Sequence, residues 1–203
     1  MTLTPLQSAV DVLDRAGSLL LAADAVPDPL VADDMRRFAL AQGVAALDTY
    51  LHWAIADVPL KNMASALKSL DVPFEELISL SEAVVANRDK IRPKVRARGA
   101  LERVILTMTF QSSRGVEQAM AFLGIRKAFA KISPHMVPAH KPSDVKERLN
   151  RIVHRRNQIV HEGDLQRQSR PQSIKREPAD KVKIGADLAW LRMLVLAVDA
   201  ATP

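Results

Sequence analysis

Apolar side chains recur every three or four residues along most of this chain, and this spacing constrains its fold more than any other feature. A period near 3.6 residues places such side chains on one face of an α-helix, whereas a half-buried strand alternates at every second position. Only 7 of the 203 residues are glycine and 4% are aromatic, a balance that favours helix over sheet. The sequence therefore predicts an all-α helical bundle. We expect helices over about 5–22, 28–56, 60–70, 74–90, 101–108, 116–123, 145–162 and 180–200.

Charge is distributed unevenly along the chain. Residues 1–87 carry 12 acidic and 5 basic side chains, whereas residues 88–203 carry 24 basic and 11 acidic ones, within a net charge of +6. A length of 203 residues suits one domain. We therefore expect a single domain, 1–203, with an acidic front half and a basic back half. Clustered positive charge is typical of a surface that binds a polyanion.

The helix predicted over 145–162 contains the most unusual residue of the sequence. On a helical projection its aliphatic side chains form one stripe, and Arg156 lies in the middle of it. Burying a guanidinium without a partner is costly, unless its stem packs while its head reaches water. Polar residues border the stripe, with Asn157, His161 and His154 on one side and Arg148, Arg151 and Arg155 on the other. Such a border is typical of a phosphate-binding site.

The run Arg156-Asn157-Gln158-Ile159-Val160-His161 resembles the Arg-x4-6-His motif of the HEPN superfamily. Members of that superfamily are small all-α domains and often metal-independent endoribonucleases, so the resemblance implies a HEPN-like bundle with this activity. One HEPN class, partnered with nucleotidyltransferases, has a tyrosine two residues after the histidine. Gly163 stands at that position, which sets this class aside. Arg155 gives the alternative Arg-x5-His spacing to the same histidine, and the choice between the two arginines stays open.

Arginine and histidine together supply the groups that metal-free RNA cleavage requires. Imidazole transfers protons near neutral pH, and a guanidinium stabilises the charge that develops on the phosphorane oxygens. We therefore assign Arg156 and His161 as catalytic. Asn157, one helical turn before His161, is expected to orient its ring or hold a phosphate oxygen. The other polar residues of the two borders, Arg155, Arg151, His154 and Arg148, are expected to bind the RNA.

Two polar residues of the long early helix are candidates for supporting this site. Asp48 and His52 lie near the end of that helix, together with Tyr50 and Trp53. Packing at the rim of the core is one interpretation of the group. In the other interpretation, Asp48 or His52 lends a hydrogen bond to Arg156, as polar residues of an early helix do in some HEPN proteins.

Arg156 and His161 are five residues apart and therefore project about 140° away from each other around one helix. In one copy they converge poorly on a single phosphate. An isologous dimer that brings this helix of two copies together would place both motifs in one cleft, and the HEPN resemblance implies the same arrangement. We expect a homodimer with a composite site, which binds single-stranded RNA and needs no cofactor.

Several other features restrict the class of protein. The sequence contains no cysteine, and His135 and His140 have no acidic neighbours at metal-ligand spacing, so no metal site is expected. No apolar run has the length of a membrane span, and the start does not resemble a signal peptide. These absences predict a cytoplasmic protein that does not bind membranes. A toxin or defence effector with a cognate antitoxin or regulator is one setting that suits such a nuclease.

Two other functional interpretations stay open. The first is a non-catalytic HEPN-like module that binds RNA or protein, as an antitoxin or adaptor does. The second is a helical protein whose basic half binds an acidic partner. Salt-sensitive RNA binding without cleavage would favour the first, and no affinity for nucleic acid even at low salt would favour the second.

The connections between helices are also predicted from the sequence. Three prolines predict a loop over 132–143, after which Ser143 or Asp144 is expected to cap the next helix. Gly163 is expected to end that helix. A long basic loop without regular structure is predicted over 164–179, before the C-terminal helix. The helices over 60–70 and 74–90 are expected to be scaffold.

Overall fold

The structure, a computed structural model, describes residues 3–63, 67, 70, 74–86, 93–166 and 173–202. Within these ranges the regular elements are α-helices and short 3-10 turns, so the all-α prediction is confirmed. The helices are α1 (Pro5–Ala22), α2 (Pro29–Asp57), α3 (Phe74–Ala86), α4 (Pro93–Leu106), α5 (Ser113–Phe122), α6 (Ala128–Ile132), α7 (Pro142–Glu162) and α8 (Lys181–Ala200). None of the helices in these ranges is both long and apolar enough to cross a membrane.

Three helices begin close to where the sequence signals predict. Thr4 accepts a hydrogen bond from the backbone N–H of Gln7, and the Gln7 side chain accepts one from the backbone of Thr4. This reciprocal cap precedes Pro5, whose fixed φ suits the first helical position. Asp28 caps α2 and Asp180 caps α8, each through a side-chain oxygen.

Helix α7 begins earlier than predicted. Its first residue is Pro142 and its N-cap is Lys141, so the prediction of a cap at Ser143 or Asp144 is wrong. Proline loses no hydrogen bond at the first helical position, because the N–H there has no partner within the helix. The loop before α7 is correspondingly shorter than predicted, and it includes a 3-10 turn at Ser133–His135.

The central packing unit consists of α1, α2, α7 and α8. Helix α1 lies along α2, α8 packs against both, and α7 packs on α2. Helices α2 and α8 approach closely at Gly43, where an added Cβ would lie 2.2 Å from Leu188 Cδ2 and 3.3 Å from Leu191 Cδ1. Glycine is therefore needed for this helix contact. One hydrophobic cluster contains residues from α1, α2 and α4 to α8.

Helix α3 has an apolar stripe that is not buried in the core. Its large apolar side chains are exposed, namely Phe74, Leu77, Ile78, Val84 and Val85. It contacts α4, where Glu76 forms an ion pair with Arg103 at 2.5 Å. The expectation that α3 is scaffold stays a prediction.

Two predictions for this region fall partly outside the described residues. The stretch 60–70 begins with a 3-10 turn, Leu60–Met63, and most of its remaining residues are not described. The same applies to the end of the helix predicted over 74–90, of which α3 covers the first part. Helix α4 begins at Pro93, earlier than the helix predicted over 101–108, and its Leu101 and Ile105 are buried.

The long connection between α7 and α8 contains no helix or strand in its described parts, residues 163–166 and 173–180, so the predicted loop is confirmed there. Gly163 ends α7 in the left-handed conformation (φ 60°), as predicted. Beyond it, Leu165 and Arg176 form an antiparallel bridge. The backbone N–H of Gln166 donates to the carbonyl oxygen of Lys175 at 2.8 Å. These pairs bring the two ends of the connection together.

Candidate functional site

Helix α7 has a buried first half and a more open second half. The buried side chains of its stripe are Val145, Leu149, Ile152 and Val153. Further along, Arg156 is half-buried and Val160 is 51% exposed. The apolar stripe therefore reaches the surface near the C-terminal end of α7, and Arg156 lies where it does so.

One flank of α7 is closed by a buried ion cluster around Asp164, whose side chain is 0% exposed. Asp164 Oδ2 accepts hydrogen bonds from Arg37 Nε at 2.7 Å and from Arg155 Nη2 at 2.8 Å, and Arg155 Nη1 donates to Oδ1. The two guanidiniums also donate to the carbonyl oxygens of Glu177 and Pro178. Two cations thus neutralise the buried carboxylate, and the cluster joins α2, α7 and the segment before α8.

Arg148 is held against α8 on the same flank. Its guanidinium lies 5.0 Å from the ring centroid of Trp190 and 3.6 Å from Asp187 Oδ1. Burial raises the pKa of Asp187, and the charge of Arg148 opposes that rise. Arg148 and Arg155 are therefore engaged within the chain, so RNA binding by either residue would have to disrupt existing contacts. We call this side of α7 the sealed flank.

Arg156 has a different environment from Arg155, although the two are adjacent in sequence. It forms no hydrogen bond or ion pair with any residue in the described ranges. Burial lowers the pKa of the Arg156 guanidinium, while the negative charge of Asp48 raises it. Because arginine stays protonated in proteins, this half-buried cation remains charged and available to an anion.

Asp48 is held close to Arg156 by the connection between α4 and α5. Its Oδ1 accepts a hydrogen bond from the backbone N–H of Phe110 at 2.6 Å, and its Oδ2 accepts one from the side-chain amide of Gln111 at 3.0 Å. Both carboxylate oxygens of Asp48 are therefore hydrogen-bonded to the connection between α4 and α5. Its charge acts on Arg156 without a hydrogen bond between the two side chains.

His52 is one helical turn beyond Asp48 and joins α2 to α4. Its Nδ1 lies 2.8 Å from the carbonyl oxygen of Asp48, and its Nε2 lies 3.1 Å from that of Ile105. The imidazole centroid is 4.9 Å from the ring centroid of Phe110. Both ring nitrogens are therefore in contact with carbonyl oxygens, which leaves neither of them to bond Arg156. This arrangement supports the packing interpretation of His52.

The remaining predicted residues of α7 are exposed. His154, Asn157 and His161 lie on the border away from Arg155. Arg151 lies on the border of Arg148 and Arg155, where it is 3.7 Å from Glu147 and its charge acts on Asp187. The structure describes both Asn157 and His161 and shows no hydrogen bond between them. We call the side formed by Arg156, Asn157, Val160 and His161 the open flank.

Within one chain, Arg156 and His161 are not brought together. Arg156 is half-buried next to α2, whereas His161 is exposed in the last turn of α7. In the part of the chain that the structure describes, no group of three or more histidine, aspartate or glutamate side chains is arranged to hold a metal ion.

The sequence did not indicate the roles of Arg37 and Asp164. One signal was present in each case. Arg37 lies on the same helical face as Leu40 and Val44, which are buried, so it is a cation in an apolar stripe like Arg156. Asp164 follows the glycine that ends α7 and adopts a left-handed φ of 60° itself, a conformation that aspartate tolerates better than most residues.

The chain was compared with family models, with curated proteins and with solved structures. No family model matches it, and neither a curated protein nor a solved structure matches it significantly.

Proposed function

We propose that this protein is a metal-independent endoribonuclease of the HEPN type, which acts on single-stranded RNA as a homodimer. The observation that carries the proposal is the half-buried Arg156 on the open flank, which has no partner among the described residues. A partly desolvated cation gains most from an anionic ligand, because part of its hydration is already lost. Phosphate is an anion that arginine binds through paired hydrogen bonds.

The environment of the two adjacent arginines supports Arg156 as the functional one. Arg155 already binds Asp164 with both terminal nitrogens. Withdrawing it would leave the buried carboxylate with Arg37 as its remaining cation, at a cost in stability. Arg156 can contact a phosphate without breaking any bond to the described residues. The Arg-x4-His spacing to His161 is therefore the one that we propose for the motif.

The proposed chemistry uses the residues of the open flank from both copies. One His161, as neutral imidazole, accepts the proton of the 2′-hydroxyl while the 2′-oxygen attacks the adjacent phosphorus. His161 of the second copy, as imidazolium, protonates the 5′-oxygen when the P–O5′ bond breaks. Arg156 stabilises the charge on the non-bridging oxygens. The products carry a 2′,3′-cyclic phosphate and a 5′-hydroxyl, and Asn157 holds a phosphate oxygen or orients the imidazole.

A second copy is part of the proposal because an apolar side chain of the open flank is exposed. Val160, in the stripe of α7, is 51% exposed. An isologous contact through Val160 would bury it and place two open flanks in one cleft.

Cleavage is tested with purified protein, single-stranded RNA and EDTA. We expect fragments that end in 2′,3′-cyclic phosphate, and loss of cleavage by at least about 100-fold in His161→Ala. His135→Ala is the control, because His135 is an exposed histidine outside α7. The catalytic assignment would be rejected if His161→Ala cleaved as fast as the wild type.

The dimer is tested by placing a charge at its proposed contact. Val160→Asp should dissociate the dimer in analytical ultracentrifugation and abolish cleavage, while circular dichroism keeps its helical signal. Leu196→Asp on α8 is the control, since Leu196 is 47% exposed and lies outside the open flank. A wild-type protein that is monomeric at all concentrations and still cleaves RNA would contradict the composite site.

A further inference from the structure

Four basic side chains of α5, of α6 and of the chain just before α6 are exposed. They are Arg114, Arg126, Lys127 and Lys131, and we call them the basic track. None of them forms an ion pair among the residues that the structure describes. Lys127 directly precedes α6 with a left-handed φ of 55°, and Lys131 lies within α6. The open flank does not include these side chains.

The sequence around the basic track lacks compensating negative charge. No aspartate or glutamate occurs between Glu117 and Asp144. Glu117 itself forms an ion pair with Lys146 at 2.6 Å. In contrast, Arg148 and Arg155 on the sealed flank each lie close to a carboxylate. The charge of the basic track is therefore available to an external anion.

Two contacts show where helices α5 and α6 lie relative to α7. Ser113, the neighbour of Arg114, donates its N–H to Asn150 Oδ1 and accepts from Asn150 Nδ2, both at 3.0 Å. Lys146 Nζ lies 5.3 Å from the ring centroid of Phe129 in α6. Helices α5 and α6 thus pack beside Asn150 and Lys146 of α7.

Helices α5 and α6 contact the side of α7 that also carries Asn157 and His161 of the open flank. On a helical projection, Lys146, Asn150, Asn157 and His161 fall within a sector of about 60°. The rise of α7 between Lys146 and His161 is about 22 Å. A strand stacked at about 3.4 Å per nucleotide covers that length in roughly six or seven nucleotides.

We propose that the basic track binds backbone phosphates of the RNA strand on one side of the cleaved bond. This inference rests on the proposed function and adds to it the path of the substrate. The track contains no aromatic side chain on which a base would stack, so it binds phosphate without reading sequence. Its contribution appears only in RNAs that are long enough to reach from the open flank to α6.

The experiment measures binding of 2′-O-methyl RNA, which cannot be cleaved through its 2′-oxygen. Wild-type protein and Lys127→Gln/Lys131→Gln are titrated with a 14-nucleotide strand over a range of salt concentrations. We expect the double variant to bind about 5- to 10-fold more weakly at low salt. The slope of log K against log salt should decrease by about 1.4, because two contacts to a single strand are lost. A 5-nucleotide strand should bind both proteins equally.

The matched control is Arg15→Gln/Lys183→Gln, which removes two exposed positive charges from α1 and α8. Equal weakening by the control, or an unchanged salt slope in the track variant, would overturn the proposal. Cleavage of the 2′-hydroxyl RNA separates the two ideas. If the wild-type protein cleaves RNA and the track variant binds RNA as tightly as the wild type, the role of the basic track is rejected and the nuclease function is kept. If binding depends on the basic track but no RNA is cleaved, the nuclease function is rejected and the role of the track is kept. If the wild-type protein neither binds nor cleaves RNA, both proposals are rejected.

Discussion

The two flanks of α7 contain the same kinds of residue in opposite environments. On the sealed flank, Arg155 and Arg37 surround the buried carboxylate of Asp164. On the open flank, Arg156 is influenced by the charge of Asp48 but forms no hydrogen bond or ion pair with the described residues. Only about 100° of rotation around one helix separates Arg155 from Arg156. The two arginines differ in which segments of the same chain lie beside them. These neighbours, and not the residue type, decide whether an arginine is structural or available to a ligand.

The largest expected effect is on the sealed flank. Asp164→Ala should lower the free energy of unfolding by about 3–5 kcal/mol, because it leaves Arg37 and Arg155 partly buried without a counter-charge. Urea denaturation followed by circular dichroism measures this loss. The control is Asp34→Ala, which removes an exposed partner of Arg37 and should cost less than about 1 kcal/mol. Equal costs for the two variants would contradict the comparison.

A pair of variants tests the two adjacent arginines directly. Arg155→Met should cost roughly 2 kcal/mol, because it removes hydrogen bonds to a buried carboxylate that Arg37 still neutralises. Arg156→Met should change stability by less than about 1 kcal/mol in either direction, since no hydrogen bond is lost among the described contacts and a desolvated charge is removed. Denaturation curves provide both values. A larger loss of stability in Arg156→Met than in Arg155→Met would show that Arg156 is the structural arginine.

Asp48 is expected to limit the affinity of the open flank for anions. Asp48→Asn removes the negative charge that acts on Arg156 and retains an acceptor for the N–H of Phe110. We expect 2′-O-methyl RNA to bind about two- to fivefold more tightly, a coupling of roughly 0.5–1 kcal/mol. Fluorescence anisotropy measures this change. Weaker RNA binding by Asp48→Asn would mean that Asp48 positions the Arg156 side chain, instead of only lowering its affinity for anions.

The smallest expected effect concerns Asp187, the carboxylate next to Arg148. Its pKa is raised mainly by burial, so its ionised form destabilises the folded state at neutral pH. Asp187→Asn should therefore stabilise the protein at pH 7 by a few tenths of a kcal/mol. The gain should shrink as pH falls and vanish below about pH 4, where the unfolded carboxyl is also protonated. A gain that persisted in acid would have another origin.

Helical periodicity was enough to predict most of the fold. The stripes of α1, α2, α7 and α8 are regular, and local caps such as Thr4 and Asp28 define their starts. The exposure of the apolar side chains of α3 was not predictable, because an apolar stripe shows that a helix has a side to bury but not whether a neighbour covers it. The exposed Phe74 illustrates the difference.

The candidate site was only partly predictable. Arg156 was recognised from its place in the stripe, and Asp48 from its place on the early helix. The engagement of Arg155 was not predictable, because Asp164 meets both Arg155 and Arg37, and the latter is 127 residues away in sequence. Such a contact depends on the path of the connection between α7 and α8. No local pattern contains that information.

The ion cluster at Asp164 also has a consequence for folding. Helices α1 and α2 are neighbours in sequence and can pair while the chain is still short, since local contacts close small loops. The contact from Asp164 to Arg37, together with the bond from Arg37 to Glu177, requires synthesis to have passed residue 177. The contact between α1 and α2 can therefore form before the ion cluster that fixes the position of α7.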